Sequence, residues 1–187
     1  MQEKSMIKTC YGPVDSKVLE RAKGIRLLIC DVDGVMSDGS IYLGNEGEEL
    51  KAFNVKDRYG IRCLLMSDIE VAIISGRSGR ILENFCSTLG HIHLYQGQSD
   101  KTFAFRILLE KLELIAEKVA YIGDDLIDIP VMKQVGLSIA VANAHPLLKL
   151  SSHYITSLTG GRGAVREVCD LVLLAQGKWD DIREKST

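Results

Sequence analysis

Asp31 and Asp33 stand two residues apart at the end of the apolar run from Ile25 to Cys30, directly before Gly34. Extended backbone sends alternate side chains to the same side, so the two carboxylates can face one hard, oxygen-seeking cation such as Mg2+. One of them is then left for proton transfer. Gly34 allows the chain to turn sharply where the strand stops. Asp-Val-Asp-Gly also opens calcium loops, but an EF-hand needs a polar residue, Gly and Glu where this chain carries Val35, Met36 and Tyr42. A plain turn rich in Asp and Gly is the competing reading of the pentapeptide taken alone.

Three further apolar runs end in residues suited to phosphate. Ile73-Ile74 leads into Ser75-Gly76-Arg77, which offers a hydroxyl, an unhindered backbone N–H and a guanidinium near a helix start. Ser99-Asp100-Lys101 follows the next run and places an ammonium at the opening of a helix. Val119-Ala120-Tyr121-Ile122 ends in Gly123-Asp124-Asp125, with Asp128 one turn on. These carboxylates repel one another unless a cation or a basic side chain compensates them. Helix capping accounts for Asp125 but leaves Asp124 unexplained.

The elements that must hold these residues follow from the pattern. Short apolar runs at Leu27–Cys30, Val71–Ile74, Ile92–Tyr95, Val119–Ile122 and Leu137–Val141 are bounded by Gly, Asp or Ser, as buried parallel strands are. Helical patterns lie between them at Tyr59–Ser67, Gly79–Leu89, Lys101–Leu112 and Ile127–Val135, and another closes the chain at Ala164–Leu174. The alternation predicts an α/β fold, a doubly wound parallel sheet with ligands at the carboxyl ends of its strands. Gly39–Leu43 and Glu48–Phe53, joined by Gly44–Gly47, predict a small β-hairpin flap over the acidic pair. The expectation is a single domain over residues 1–187, with the flap at about 39–53, a C-terminal tail at about 160–187 and no large cap domain.

Composition narrows the partners. With 187 residues, 46% of them hydrophobic, and a net charge of −2, the chain can bury one substantial core and has no electrostatic reason to seek nucleic acid or a membrane surface. Five scattered cysteines without a Cys-x-x-Cys pair read as reduced core residues. A cytoplasmic protein is expected. No chemistry is assigned to His91, His93, His145 or His153.

In order and in position, Asp31-Val32-Asp33-Gly34-Val35, then Ser75, then Lys101, then Gly123-Asp124-Asp125 with Asp128, resemble the four motifs of the haloacid dehalogenase superfamily of phosphohydrolases. The likeness extends through Lys51–Asp57, Tyr95-Gln96-Gly97 and Gly160–Glu167 toward that superfamily's sugar-acid phosphate phosphatases. The resemblance implies Asp31 as nucleophile, Asp33 as acid and then base, and Ser75 and Lys101 on the phosphate. It implies Mg2+ held by Asp31, the Asp33 carbonyl and Asp124, with Asp125 and Asp128 supporting. Gly76, Arg77, Asn54, Val55, Lys56, Asp57, Arg58, Arg62 and Arg162 become substrate contacts, Arg77 being the candidate for the substrate carboxylate.

The implied substrate is an octulosonate 8-phosphate, with a nonulosonate 9-phosphate as the alternative, and the implied assembly is a homotetramer in lipopolysaccharide sugar synthesis. Some relatives carry a further Arg where this chain has Phe85, which would remove one anionic contact here. The tail around Arg162 is either a connector or, as the resemblance favours, an arm that reaches a neighbour's site. A phospho-acceptor receiver domain is the alternative of another class; there a single phosphorylated Asp follows a later strand.

Overall fold

The structure, a computed structural model, describes residues 5–180. An antiparallel hairpin of β1 (Met6–Thr9) and β2 (Gly12–Asp15) opens it. Asp15 then caps α1 (Ser16–Lys23) by accepting from the Lys17 N–H. The chain continues through β3 (Leu27–Cys30), the flap strands β4 (Tyr42–Leu43) and β5 (Glu49–Leu50), α2 (Val55–Leu65), β6 (Glu70–Ile74) and α3 (Arg80–Cys86). β7 (His93–Tyr95), α4 (Lys101–Leu112), β8 (Val119–Gly123), α5 (Ile129–Met132) and β9 (Leu137–Ala140) follow. α6 (Pro146–Leu150), β10 (Tyr154–Ile155) and α7 (Ala164–Ala175) complete it.

Six strands form one parallel sheet in the order β10-β9-β8-β3-β6-β7. Every residue of β3 is buried, as a central strand covered on both faces requires. After β3 the chain winds outward through β6 and β7, then returns to the other side of β3 at β8. The order reverses between β3 and β8, and such a switch point leaves a crevice at the strands' carboxyl ends. Because Cys30 is in register with Ile122 on one side and Ile73 on the other, the residues just beyond these strands come level at one edge. That edge brings Asp31, Ser75 and Asp124 together.

The segment expected to be a C-terminal tail is largely not one. Val165, Val168, Cys169 and Val172 recur at helical spacing and are wholly buried, so α7 packs against α1 and α2 as part of the core. Residues 181–187 lie outside the described residues. The flap is a two-stranded antiparallel hairpin with Leu43 opposite Glu49.

Candidate active site

Asp31 continues the central ladder by one step, its N–H donating to the Ile122 carbonyl at 3.1 Å. Its carboxylate is buried, and Oδ1 receives the Lys101 ammonium at 2.5 Å. Lys101 is the first residue of α4 and is 2% exposed; it also donates to Asp128 Oδ1 at 2.7 Å. Burial opposes the charge on this lysine, but the two buried carboxylates beside it outweigh that cost, so its pKa is raised and the ammonium keeps its proton. With two N–H bonds committed, the third proton of the ammonium is left for a ligand.

Asp128 is fully saturated. Oδ1 also accepts from the Tyr121 hydroxyl at 2.6 Å, and Oδ2 accepts from the N–H groups of Asp124 and Asp125 at 3.0 and 3.3 Å. It therefore fixes both Lys101 and the turn that carries Asp124. Tyr121 was not singled out in the sequence, although a buried tyrosine hydroxyl in an otherwise apolar strand needs a partner nearby. Asp125 accepts from the Leu126 N–H at 2.7 Å and caps the short turn that follows.

Single oxygens of Asp31, Asp124 and Asp128 lie within 4.8 Å of one another. Burial, then the charges of Asp31, Asp128 and Asp125, push the Asp124 carboxyl up to about 8. Burial also raises Asp31, to about 6, with Lys101 acting in the opposite direction. Such crowding of hard oxygen donors fits a divalent cation, which would relieve it. Asp128, its oxygens already occupied, is a poor ligand; Asp31 and Asp124 are the freer donors.

Gly34 makes this proximity possible. It adopts φ +86°, and a Cβ there would collide with Asp124 Oδ2. Ser75, at the end of β6, is buried, and its Oγ accepts from the Arg77 N–H at 3.1 Å, which leaves the hydroxyl proton free to donate outward. Asp31, Asp33, Ser75, Gly76, Arg77, Lys101, Asp124 and Asp125 line one cavity of about 310 Å³.

The remaining sequence candidates lie elsewhere. Asn54 caps α2 through the Lys56 N–H and reaches the Gly161 carbonyl at 3.4 Å. Val55, Lys56 and Arg62 are exposed on α2 and Arg58 is half-buried, none of them lining the cavity. Asp57 corrects the expectation of a substrate contact: it is 1% exposed and accepts from the Arg166 N–H at 2.7 Å, serving the start of α7 instead. Arg162 points a largely exposed guanidinium at Asp38 of its own chain, at 3.3 Å. The adjacent glycines lie on the catalytic loop, with the Gly161 N–H bonded to the Val35 carbonyl at 2.8 Å. A Cβ on Gly160 would collide with the Gly34 carbonyl oxygen. Phe85 stacks on Phe53 at 4.0 Å between centroids, so the position expected to lack an anionic contact instead anchors the flap.

Comparison with known proteins agrees with this geometry. Residues 71–167, which include Ser75, Lys101, Asp124 and Asp128, match the family model of haloacid dehalogenase-like hydrolases. The chain is 67% identical over 178 residues to the 3-deoxy-D-manno-octulosonate 8-phosphate phosphatase KdsC of Yersinia pestis, covering 95% of each chain. The chain belongs to the haloacid dehalogenase-like hydrolases. Within that family, KdsC of Escherichia coli K12 is 66% identical over 180 residues, covering 96% of each chain. The crystal structure of the Yersinia pestis phosphatase superposes with a TM-score of 0.94 at 67% identity, covering 95% of this chain and 96% of that one. A haloacid dehalogenase-like relative from Moraxella catarrhalis, a 3-deoxy-D-manno-octulosonate 8-phosphate phosphatase in complex with magnesium ion, phosphate ion and a KDO molecule, superposes at 0.90 with 42% identity, covering 92% of this chain and 99% of that one.

Proposed function

We propose that this protein is a Mg2+-dependent phosphomonoesterase that hydrolyses 3-deoxy-D-manno-octulosonate 8-phosphate to the free sugar acid and phosphate through an aspartyl-phosphate. The observation that carries this reading is the Lys101 ammonium buried between Asp31 and Asp128 and beside Asp124, at the switch point of the sheet. An Asp31 oxygen attacks phosphorus in line as the bond from phosphorus to the sugar oxygen breaks, and Asp33 gives its proton to that leaving oxygen. Asp33, now a carboxylate, takes a proton from the water that attacks the aspartyl-phosphate, and Asp31 leaves as the free carboxylate. Phosphoryl transfer depends mainly on positioning and charge neutralisation. The Ser75 hydroxyl, the Gly76 N–H and the free proton of Lys101 meet the phosphate oxygens.

Asp31, the Asp33 carbonyl and Asp124 would hold Mg2+, which when bound would neutralise phosphate charge and orient the phosphoryl group. Arg77 grips the substrate carboxylate, an assignment supported by its place in the same cavity as the catalytic carboxylates. A homotetramer is part of this reading, supported by the exposed apolar side chains Tyr42, Leu43, Leu50 and Val55 on and beside the flap. Work in lipopolysaccharide sugar synthesis in the cytoplasm is also part of it, supported by the kinship to KdsC and by five cysteines that are all free thiols. Among the described residues, no helix is long and apolar enough to cross a membrane.

A panel of sugar-acid phosphates, assayed with and without Mg2+, tests the proposal. The highest kcat/KM should fall on the octulosonate 8-phosphate, and only with the metal. A preference for a nonulosonate 9-phosphate would move the assignment to that substrate.

A further inference from the structure

The flap strand carries a period-two pattern that the catalytic scheme does not use. Glu49, Lys51 and Phe53 turn inward and are partly covered, while Leu50 and Ala52 between them are exposed. Each inward residue meets a different part of the site. Glu49 Oε1 accepts from Arg77 Nη2 at 3.0 Å, Lys51 Nζ donates to Asp33 Oδ1 at 2.6 Å, and Phe53 stacks on Phe85. Glu49, Lys51, Ser75 and Arg77 also line a second cavity, of about 210 Å³, that shares Ser75 and Arg77 with the catalytic one. The shared lining gives a ligand whose phosphate sits at Ser75 and Lys101 a path under the flap, past Arg77. In the structure, the carboxylate on Arg77 is the protein's own.

We propose that Glu49 sets the affinity of the site for sugar acids, its carboxylate occupying Arg77 until a substrate's own carboxylate takes its place. This inference rests on Arg77 as the carboxylate site of the proposed reaction. Two carboxylates compete for one guanidinium face, so Glu49 weakens the binding of a sugar acid and leaves a phosphate ester that lacks a carboxylate unaffected. The Glu49–Arg77 pair suits this role because it is weak. Its side chains are 31% and 55% exposed, and exposed pairs of this kind contribute little, so substrate displaces Glu49 at small cost. The partly covered Lys51, paired with Asp33, and the Phe53–Phe85 stack hold the rest of the strand while this exchange takes place.

The test uses the full chain with Mg2+ and compares wild type, Glu49→Gln, Arg77→Ala and the double variant. The substrates are 3-deoxy-D-manno-octulosonate 8-phosphate and arabinose 5-phosphate, a sugar phosphate without a carboxylate, and the inhibitor is the free octulosonate. Glu49→Gln keeps the shape and removes the competing charge. It should lower KM for the sugar-acid phosphate, and the inhibition constant of the free acid, by about two- to fivefold. KM for arabinose 5-phosphate should not move, and the effect should vanish in the Arg77→Ala background. Unchanged or weaker binding of both acids in Glu49→Gln overturns the inference, as does an equal gain on arabinose 5-phosphate or a gain that persists without Arg77. Failure of the underlying reading shows separately, with Glu49 intact, as an Arg77→Ala variant that weakens both substrates alike.

Discussion

Replacing Asp57 by asparagine should make the protein's stability less sensitive to pH without altering substrate affinity. Asp57 is 1% exposed, one of its oxygens has no partner, and the other accepts from the Arg166 N–H. Burial raises its carboxyl from an ordinary 3.8 to about 6, against the opposing pull of the N–H groups of Arg166 and Gly163. Below pH 3.8 both the folded and the unfolded chain hold this proton, and the group costs nothing. Between 3.8 and about 6 the unfolded chain releases the proton first, so stability falls as pH rises through that window. At about 1.4 kcal/mol per pH unit the loss is roughly 3 kcal/mol, and it persists at higher pH. The amide of the Asp57→Asn variant cannot ionise and keeps the acceptor for Arg166. Urea unfolding of both proteins from pH 4 to pH 8 should show near-equal stability at the acid end and an advantage for Asp57→Asn of up to about 3 kcal/mol at neutral pH. KM should agree within about twofold, because Asp57 does not line the cavity. A stability difference that does not change with pH, or that favours the wild-type Asp57 at pH 7, would refute the reasoning.

Other perturbations act on the site directly. Gly160→Ala places a methyl on the Gly34 carbonyl and should push the catalytic loop out of position, lowering kcat/KM by about 10²-fold in steady-state assays. Lys101→Met leaves two buried carboxylates without their cation, so thermal or urea unfolding should register a loss of about 3–5 kcal/mol at neutral pH. Asp33→Asn should keep metal binding by calorimetry while turnover drops by at least about 10²–10⁴-fold, since the side chain serves two proton transfers. Excess chelator should stop turnover while circular dichroism still reports a folded domain, because Lys101 and Asp128 anchor the loops independently of the metal.

The sheet and its acidic edge were legible in the sequence because parallel strands buried on both faces must be short apolar runs, and because Asp, Ser and Lys at their ends have few structural reasons to be there. Asp31, Ser75, Lys101 and Asp124 could be picked out in this way. The hairpin at Met6–Asp15 was not: its strands are four residues each and its outer side chains are mostly exposed, so no apolar run marks it. α2 begins at Val55, four residues before the helical pattern at Tyr59, because Asn54 caps it; the first turn is polar and carries no periodic signal. Asp57 stood as a substrate contact through the family resemblance and its place beside the flap. Its partner Arg166 lies more than a hundred residues away, and nothing local in the sequence encodes that pairing. Gly160 and Gly161 pack closely on the loop after Asp33, a contact that nothing local in the sequence encodes.

The central claim is that Asp31 takes the phosphoryl group before water does. The stereochemical course at phosphorus tests it most directly, using a phosphorothioate analogue of the substrate made chiral with two oxygen isotopes and hydrolysed in water of the third, so that the thiophosphate released is itself chiral. Two successive in-line displacements, first by Asp31 and then by water activated by Asp33, predict overall retention of configuration. Inversion would mean a single direct attack by water and would contradict the account.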